Sequence, residues 1–332
     1  MSSPEEDSEQ EVERDLDVLI LGGVGPATRQ KLNSAGIYTI IDLVVHSPSY
    51  LLDILGGTME KVMELQNKAR LKMTEYGLIQ QDFVSADQLY EKRQKISFIT
   101  TGSKNLDNLL LGGVETQAVT EFYGEFGTGK TQICHTLAAN VQLPSERGGL
   151  GAPAIYIDTE KTFRPGRIKE IAEALGLDPM EVMKNIHVAG ALNSSHLLLL
   201  IRNVGQKIRE TGARLVIVDS AIALFRAEYI GRGQLAERQQ LLNVMMHDLI
   251  RAAELHDIAV VISNQVQSAP DVYFGDPTRP IGGHVVAHAV TYRIYLRKAR
   301  NARVASIVDS PHHPPGEAVF LITKGGIEDP KE

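Results

Sequence analysis

The chain has 332 residues, 43% hydrophobic and 23% charged, with 34 Lys and Arg against 41 Asp and Glu for a net charge of −7. That length and composition call for two globular units and exclude whole-chain disorder, a collagen and a coiled coil. One cysteine makes no internal disulfide and fits a reducing compartment, the cytoplasm, and no apolar run reaches the roughly 18 residues that a bilayer span needs.

The charge is unevenly placed. Residues 1–17 (MSSPEEDSEQEVERDLD) hold eight carboxylates and one arginine, a net −7, so the remaining chain balances at zero. Such a block reads as a disordered, solvated tail or as an acidic gate over a basic surface, and it lacks the composition of a secretory signal. An acidic chain argues at first against a nucleic-acid partner. With the acid confined to the tail, that argument lapses: RIYLRKARNAR (293–303) carries five basic residues and no acid.

Residues 18–78 read as short helices joined by tight turns. In LGGVGPATRQKLNSAG, Pro26 suits a first helical position and the run stops at Gly36; MEKVMELQNKARLKMTEYG closes at Gly77. Residues 79–95 (IQQDFVSADQLYEKRQK) are polar and suit a linker. From Ile96 to residue 332, apolar strand-like runs (VTEFYG, AIYIDT, LVIVDS, IAVVISN) alternate with amphipathic stretches. This alternation predicts an α/β domain with a mainly parallel sheet and helices on both faces.

Within that domain, Gly124, Glu125, Phe126, Gly127, Thr128, Gly129, Lys130 and Thr131 match G-x-x-x-x-G-K-[ST], between a strand candidate and an amphipathic helix that begins near Gln132. The glycines let backbone N–H groups turn toward phosphate oxygens, and the following helix N-terminus favours the anion. Lys130 supplies a point charge for the β- and γ-phosphates, and Thr131 a hydroxyl for Mg²⁺. LVIVDS ends in Asp219, placed to support a metal shell. AIYIDTEKTF ends in Asp158 and Glu160, and Glu160 is either a base for an attacking water or a surface carboxylate. Cys134 reads as a small buried apolar residue.

Taken with GVGPATRQKL, FVSA, TTGSKNLDNLLLGGVET, YIDTEKTFRPGRI, FRAEYIGRGQLAERQQ, SNQVQSAPD, FGDPTRPIGGH and DSPHHPPGEAVF, these residues resemble the RecA/RadA recombinase family along residues 18–332. The resemblance implies a RecA-type P-loop ATPase core (96–332) behind a small all-α helix-hairpin-helix domain (18–78). It implies ATP and Mg²⁺ as cofactors, filaments on single-stranded DNA, and pairing of that strand with a homologous duplex. Lys130, Glu160 and Gln265 are the catalytic group it implies, with Glu160 activating water and Gln265 reporting the γ-phosphate to a DNA loop. Arg167 would stack on adenine. Asp309 and Pro314 would cap the nucleotide of a neighbouring subunit. Arg226, Arg232 and Arg238 match the first DNA loop, against a plain reading as salt-bridged surface arginines; QSAPDVYFGDPTRPIGG matches the second. Phe83 and Ala86 match the F-x-x-A polymerisation motif, against a core role for Phe83. Gly23 and Gly25 match a hairpin that meets DNA phosphate, against a simple turn.

The pattern has departures. Lys161 stands where the family usually has Gly, and Gly166 where it has Glu. Gln267 and Ala269 replace Met and Arg, His313 and Pro315 replace Leu and Glu, and Gly22 replaces Pro. Two other functions compete: an ATP-binding paralogue that modulates recombinases, and a ring helicase or kinase on the same core. The first predicts loss of the hairpin domain, F-x-x-A or Glu160; the DNA-loop segments argue against the second.

Overall fold

The computed structural model describes residues 16–79, 83–268 and 278–331. The chain divides into two compact units. One holds the described residues up to Lys95 together with Arg202–Glu210; the other holds Ile96–Ile201 and the described residues from Thr211 onward.

The first unit is built from helices Pro26–Ser34, Ile40–Val45, Pro48–Leu55 and Met59–Glu75. Their starts are written in the sequence. Pro26 and Pro48 take first helical positions, Thr39 and Asp42 close a capping box, and Ser47 and Thr58 accept from the third residue onward. Leu32, Ile37, Ile40, Leu43, Leu51, Val62, Ala69 and Met73 form its fully buried interior. The polar stretch expected as linker is not extended throughout: Ala86–Arg93 is helical. Ser85 and Gln88 make a reciprocal capping box that nucleates it, so Ala86 opens a helix and Phe83 lies just before it.

The second unit carries a nine-stranded sheet among the described residues. In chain order its strands are β3 (Ala118–Gly124), β4 (Ala154–Asp158), β5 (Ile186–Gly190), β6 (Leu215–Asp219), β7 (Ala259–Asn264), β10 (Tyr292–Ala299), β11 (Ala302–Asp309), β12 (Glu317–Thr323) and β13 (Gly326–Glu328). β1 (Phe98–Ile99) pairs with β2 (Val114–Glu115), and β8 (Val266–Ser268) with β9 (Thr278–Pro280), as separate two-stranded ladders. Across the large sheet the order is β13-β12-β11-β10-β3-β7-β6-β4-β5. β10, β3, β7, β6, β4 and β5 run parallel; β10 to β13 run antiparallel. The expected mainly parallel sheet is therefore present, extended by an antiparallel wing.

β3, β4, β6 and β7 are buried at every position, as continuous apolar runs between two helical layers should be. β5 alternates buried and open because it is an edge. The core packs Phe122, Tyr156, Ile217 and Val261 from the sheet against Ile133, Leu137, Ile168 and Ile171 from helices Lys130–Asn140 and Pro165–Leu175. No helix among the described residues is long and apolar enough to cross a membrane.

Candidate nucleotide site and nucleic-acid surfaces

The carboxyl ends of β3, β4, β6 and β7 converge on a cavity of about 560 Å³, within the range of small-ligand pockets. Gly124, Glu125, Phe126, Gly127, Gly129, Lys130, Thr131 and Gln132 line it from the turn between β3 and helix Lys130–Asn140; Glu160, Asp219 and Gln265 line it from the neighbouring strand ends. Thr128 does not. Its side chain folds inward, the hydroxyl donating to the Glu125 carbonyl at 2.9 Å, and braces the turn from within.

Gly129 caps the helix with φ +106, and a side chain there would meet Ile322 at 2.7 Å. The positive φ makes glycine the fitting residue there, and a larger one would also displace the Ile322 tip. Lys130 bends back over the turn, donating to the carbonyls of Gly124 at 2.8 Å and Glu125 at 2.9 Å. Burial holds its ammonium below the ordinary lysine range, while the carboxylates of Asp219 and Glu160 push the other way. A half-buried cation whose hydrogen bonds go to two carbonyls, beside a glycine turn, is prepared for an anion.

Asp219 is buried at the end of β6. Its oxygens accept from the Tyr156 hydroxyl at 2.7 Å and from the Ser263 hydroxyl. Asp158, its register partner on β4, accepts from the backbone N–H groups of Glu160, Thr162 and Phe163 at 3.0–3.1 Å. That work ties down the turn after β4 and leaves Glu160 exposed, where it accepts from the Gln265 amide at 3.0 Å. Glu160 and Gln265 are thus brought together from strands that are not adjacent. Lys161 follows with φ +56, a left-handed conformation that explains why glycine is the commoner residue in the pattern.

Thr131 and Asp219 both face the cavity, one hydroxyl and one carboxylate. Such a sparse oxygen set fits Mg²⁺, which keeps several waters and draws further ligands from phosphate. The residues present therefore fit both groups that the motif implies.

The Rad51 family model matches residues 92–330. The chain is also 50% identical over 318 residues to the "DNA repair and recombination protein RadA" of Cenarchaeum symbiosum (strain A), covering 96% of this chain and 80% of that protein. The chain belongs to the Rad51 family.

Arg167 stands behind the cavity wall rather than on it. Its guanidinium donates to Gln132 at 2.7 Å, to Glu170 at 3.0 Å and to the carbonyls of Lys324 and Thr323 at 2.6 and 2.5 Å. Asp309, at the end of β11, and Pro314 are exposed and lie outside the lining of this cavity. Arg226 is exposed on helix Ala223–Glu228, whereas Arg238 is half-buried on helix Leu235–Leu255 with its Nε unpartnered. The backbone of Arg232 sits in a short 3₁₀ turn, Arg232–Gln234; its side chain is outside the described set. Of the second DNA-loop segment, residues 269–277 lie outside the described residues, as does the acidic tail up to residue 15. Phe83 is 94% exposed.

Two features escape sequence reasoning. Arg303 and Ile322, from the antiparallel wing, line the nucleotide cavity, and the Nε of Arg303 is buried without a partner. In the first unit, Gly22 and Gly23 share a cavity of about 340 Å³ with Gly56, Lys31, Lys61 and Lys68. A second glycine turn thus faces the same space as the predicted one, visible in the sequence as Leu55-Gly56-Gly57-Thr58 once the first is known. Gly25 caps helix Pro26–Ser34 without a side-chain bond, which leaves its amides open.

Proposed function

We propose that this protein is a DNA-dependent ATPase of homologous recombination and DNA repair that forms filaments on single-stranded DNA and exchanges strands with a homologous duplex. The observation that carries this reading is the Glu160–Gln265 hydrogen bond across the mouth of the phosphate-loop cavity, in a chain of the Rad51 family. A carboxylate able to take a proton from water faces the phosphate turn, and its partner leads directly into β8 and the DNA-loop segment. A modulating paralogue without exchange activity has no use for that pair.

In this reading the turn Gly124–Thr131 and Gln132 bind the triphosphate, and Lys130 exchanges its two carbonyl partners for phosphate oxygens. Thr131 and Asp219 would hold Mg²⁺, which would supply positive charge against the phosphates. Glu160 orients the attacking water and accepts its proton, and Gln265 holds Glu160 in place. Arg167 supports the adenine end from behind Gln132. Asp309 and Pro314, both exposed, serve the nucleotide of an adjacent subunit.

Polymerisation follows from two surfaces. Phe83, exposed beside Ala86, is an anchor with no pocket of its own. β5 is an open sheet edge flanked by exposed Val188, Leu192 and Leu199. An anchor seated on the next subunit's edge makes a head-to-tail contact, and such contacts build open filaments or rings. Arg226, Arg232 and Arg238 grip the single strand. The first unit acts as a helix-hairpin-helix module whose Gly23 and Gly25 amides meet duplex phosphate without regard to sequence. The setting is the cytoplasm, at the nucleoid.

The test is electron microscopy of the protein with single-stranded DNA and ATP, beside a Lys130→Ala variant. Helical filaments with wild type and none with the variant are expected. Closed rings alone, or exchange at wild-type rate by Lys130→Ala, would overturn the reading.

A further inference from the structure

Glu121 lies on β3, fully buried, three residues before Gly124, and none of the roles assigned so far uses it. Both of its oxygens are engaged. One accepts from the Asn264 amide at 2.6 Å, the other from the Arg293 guanidinium on β10 at 2.6 Å. Arg293 is itself buried, its guanidinium resting over the Tyr123 ring at 5.2 Å. The same Asn264 amide donates to the Ile281 carbonyl at 2.7 Å, and the Ile281 N–H donates to the Gln265 carbonyl at 3.0 Å. Asn264 and Gln265 therefore hold one residue, Ile281, by its carbonyl and its N–H, immediately beyond β9.

That dipeptide has two outward connections. The Gln265 side chain reaches Glu160, and its backbone runs into β8, whose register with β9 pairs Val266 with Pro280. A primary amide carries one donor end and one acceptor end, and it binds Glu121 and Ile281 together only with its nitrogen facing both. The carboxylate of Glu121, held rigid by Arg293, fixes which way that amide points. A charged partner makes this bond stronger and less tolerant of rearrangement than a neutral one.

We propose that Glu121 is a positioning residue that, through Asn264, holds the Ile281 peptide against Gln265 and so links the Glu160 carboxylate mechanically to the β8–β9 ladder. The inference rests on the reading of Glu160 and Gln265 given above. Its consequence is separable from it: Glu121 sets the coupling of hydrolysis to DNA, not nucleotide binding, because no atom of the Glu121–Arg293–Asn264 group lines the nucleotide cavity.

Two variants of the full chain test it. Asn264→Ala removes the bridging amide and leaves the Glu121–Arg293 pair intact. Glu121→Leu with Arg293→Met removes both buried charges together, which avoids stranding one of them. The readout is the ratio of ATPase rates with and without single-stranded DNA, alongside affinity for a fluorescent ADP analogue and a thermal melt. The expected result is a fall in that ratio of about tenfold or more, the worth of a hydrogen bond to a charged group, with ADP affinity near wild type. A purely structural role lowers both rates by one factor and leaves the ratio unchanged. A folded variant of either kind with the wild-type ratio overturns the inference. Absence of DNA stimulation in the wild-type protein overturns the functional reading instead.

Discussion

Replacing Tyr156 by Phe deletes one oxygen and leaves the ring in place. Tyr156 is fully buried, stacked at 5.6 Å on His135 and edge-on at 4.9 Å to Phe163, and it does not line the nucleotide cavity. Its hydroxyl donates to Asp219 at 2.7 Å. Burial, with Cys134 and Asp219 nearby, pushes its ionisation well above the ordinary tyrosine value, so it remains a donor through the whole neutral range. The loss is one hydrogen bond to a carboxylate, about 1.5–3 kcal/mol. In a domain of this size each kcal/mol moves the melting temperature by about 2–4 °C, which gives a fall of about 3–12 °C. Asp219 then keeps only the Ser263 hydroxyl, so its carboxylate is less firmly aimed at the cavity. Removing a group that orients a metal-supporting residue costs about tenfold or more in metal affinity. The Mg²⁺ concentration for half-maximal ATPase should rise by that factor, with maximal rate at saturating Mg²⁺ largely kept. Calorimetry and a Mg²⁺ titration read the two effects. A melting temperature within about 1 °C of wild type with the same Mg²⁺ midpoint would refute the argument that Tyr156 positions Asp219.

Glu160→Gln keeps an oxygen that can accept from Gln265, so nucleotide affinity should hold while single-turnover hydrolysis slows by about 10²–10⁴-fold; wild-type turnover would remove Glu160 as the base. Phe83→Glu places a charge on the exposed anchor and should shift the protein to monomers in sedimentation velocity, whereas an unchanged profile dismisses the anchor. His135 is held below its ordinary value of 6.5 by burial, chiefly, against the attraction of Asp219. As pH falls below about 6.5 the unfolded chain takes up this proton before the folded one does, so stability drops until the lowered folded value is passed. His135→Phe should flatten part of the slope of urea midpoint between pH 7.5 and 5.5, and an identical slope would sink the assignment.

The phosphate turn was legible because its chemistry is contiguous: eight residues, two obligatory glycines and the flanking strand and helix all lie within one stretch. Glu160 and Gln265 are 105 positions apart, and residue types alone left Glu160 undecided between base and surface acid. Their meeting depends on strand order, which periodicity does not report. Arg303 and Ile322 come from strands in the antiparallel wing, where alternation shows two faces without saying which one meets the cavity. The helix Ala86–Arg93 was hidden by its composition. Its polar, charged sequence resembles a linker, and only the Ser85–Gln88 box marks its start. Arg167 illustrates another limit. Of the four polar partners that orient its guanidinium, all but Glu170 lie far off in the chain, up to 157 positions away, and leave no trace in the local sequence.

Four carboxylates crowd the centre of this sheet, and their hydrogen-bond partners separate their tasks. Asp158 spends both oxygens on three backbone N–H groups, and Glu121 is locked between Asn264 and Arg293. Neither has an oxygen facing the cavity. Asp219 faces it but is buried between two hydroxyl donors, which fix the direction its carboxylate points. Glu160 alone of the four is exposed, and it accepts from one neutral amide, that of Gln265. A group that must accept and release a proton each cycle needs access to water and no strong cationic partner. Among these acids only Glu160 meets both conditions, and it is also the one whose partner leads into the β8–β9 ladder. In the function proposed above, hydrolysis and DNA contact share the Glu160–Gln265 hydrogen bond. Gln265→Leu should consequently impair DNA stimulation of ATPase more than it impairs nucleotide binding, whereas equal losses in both would place Gln265 in the binding set alone.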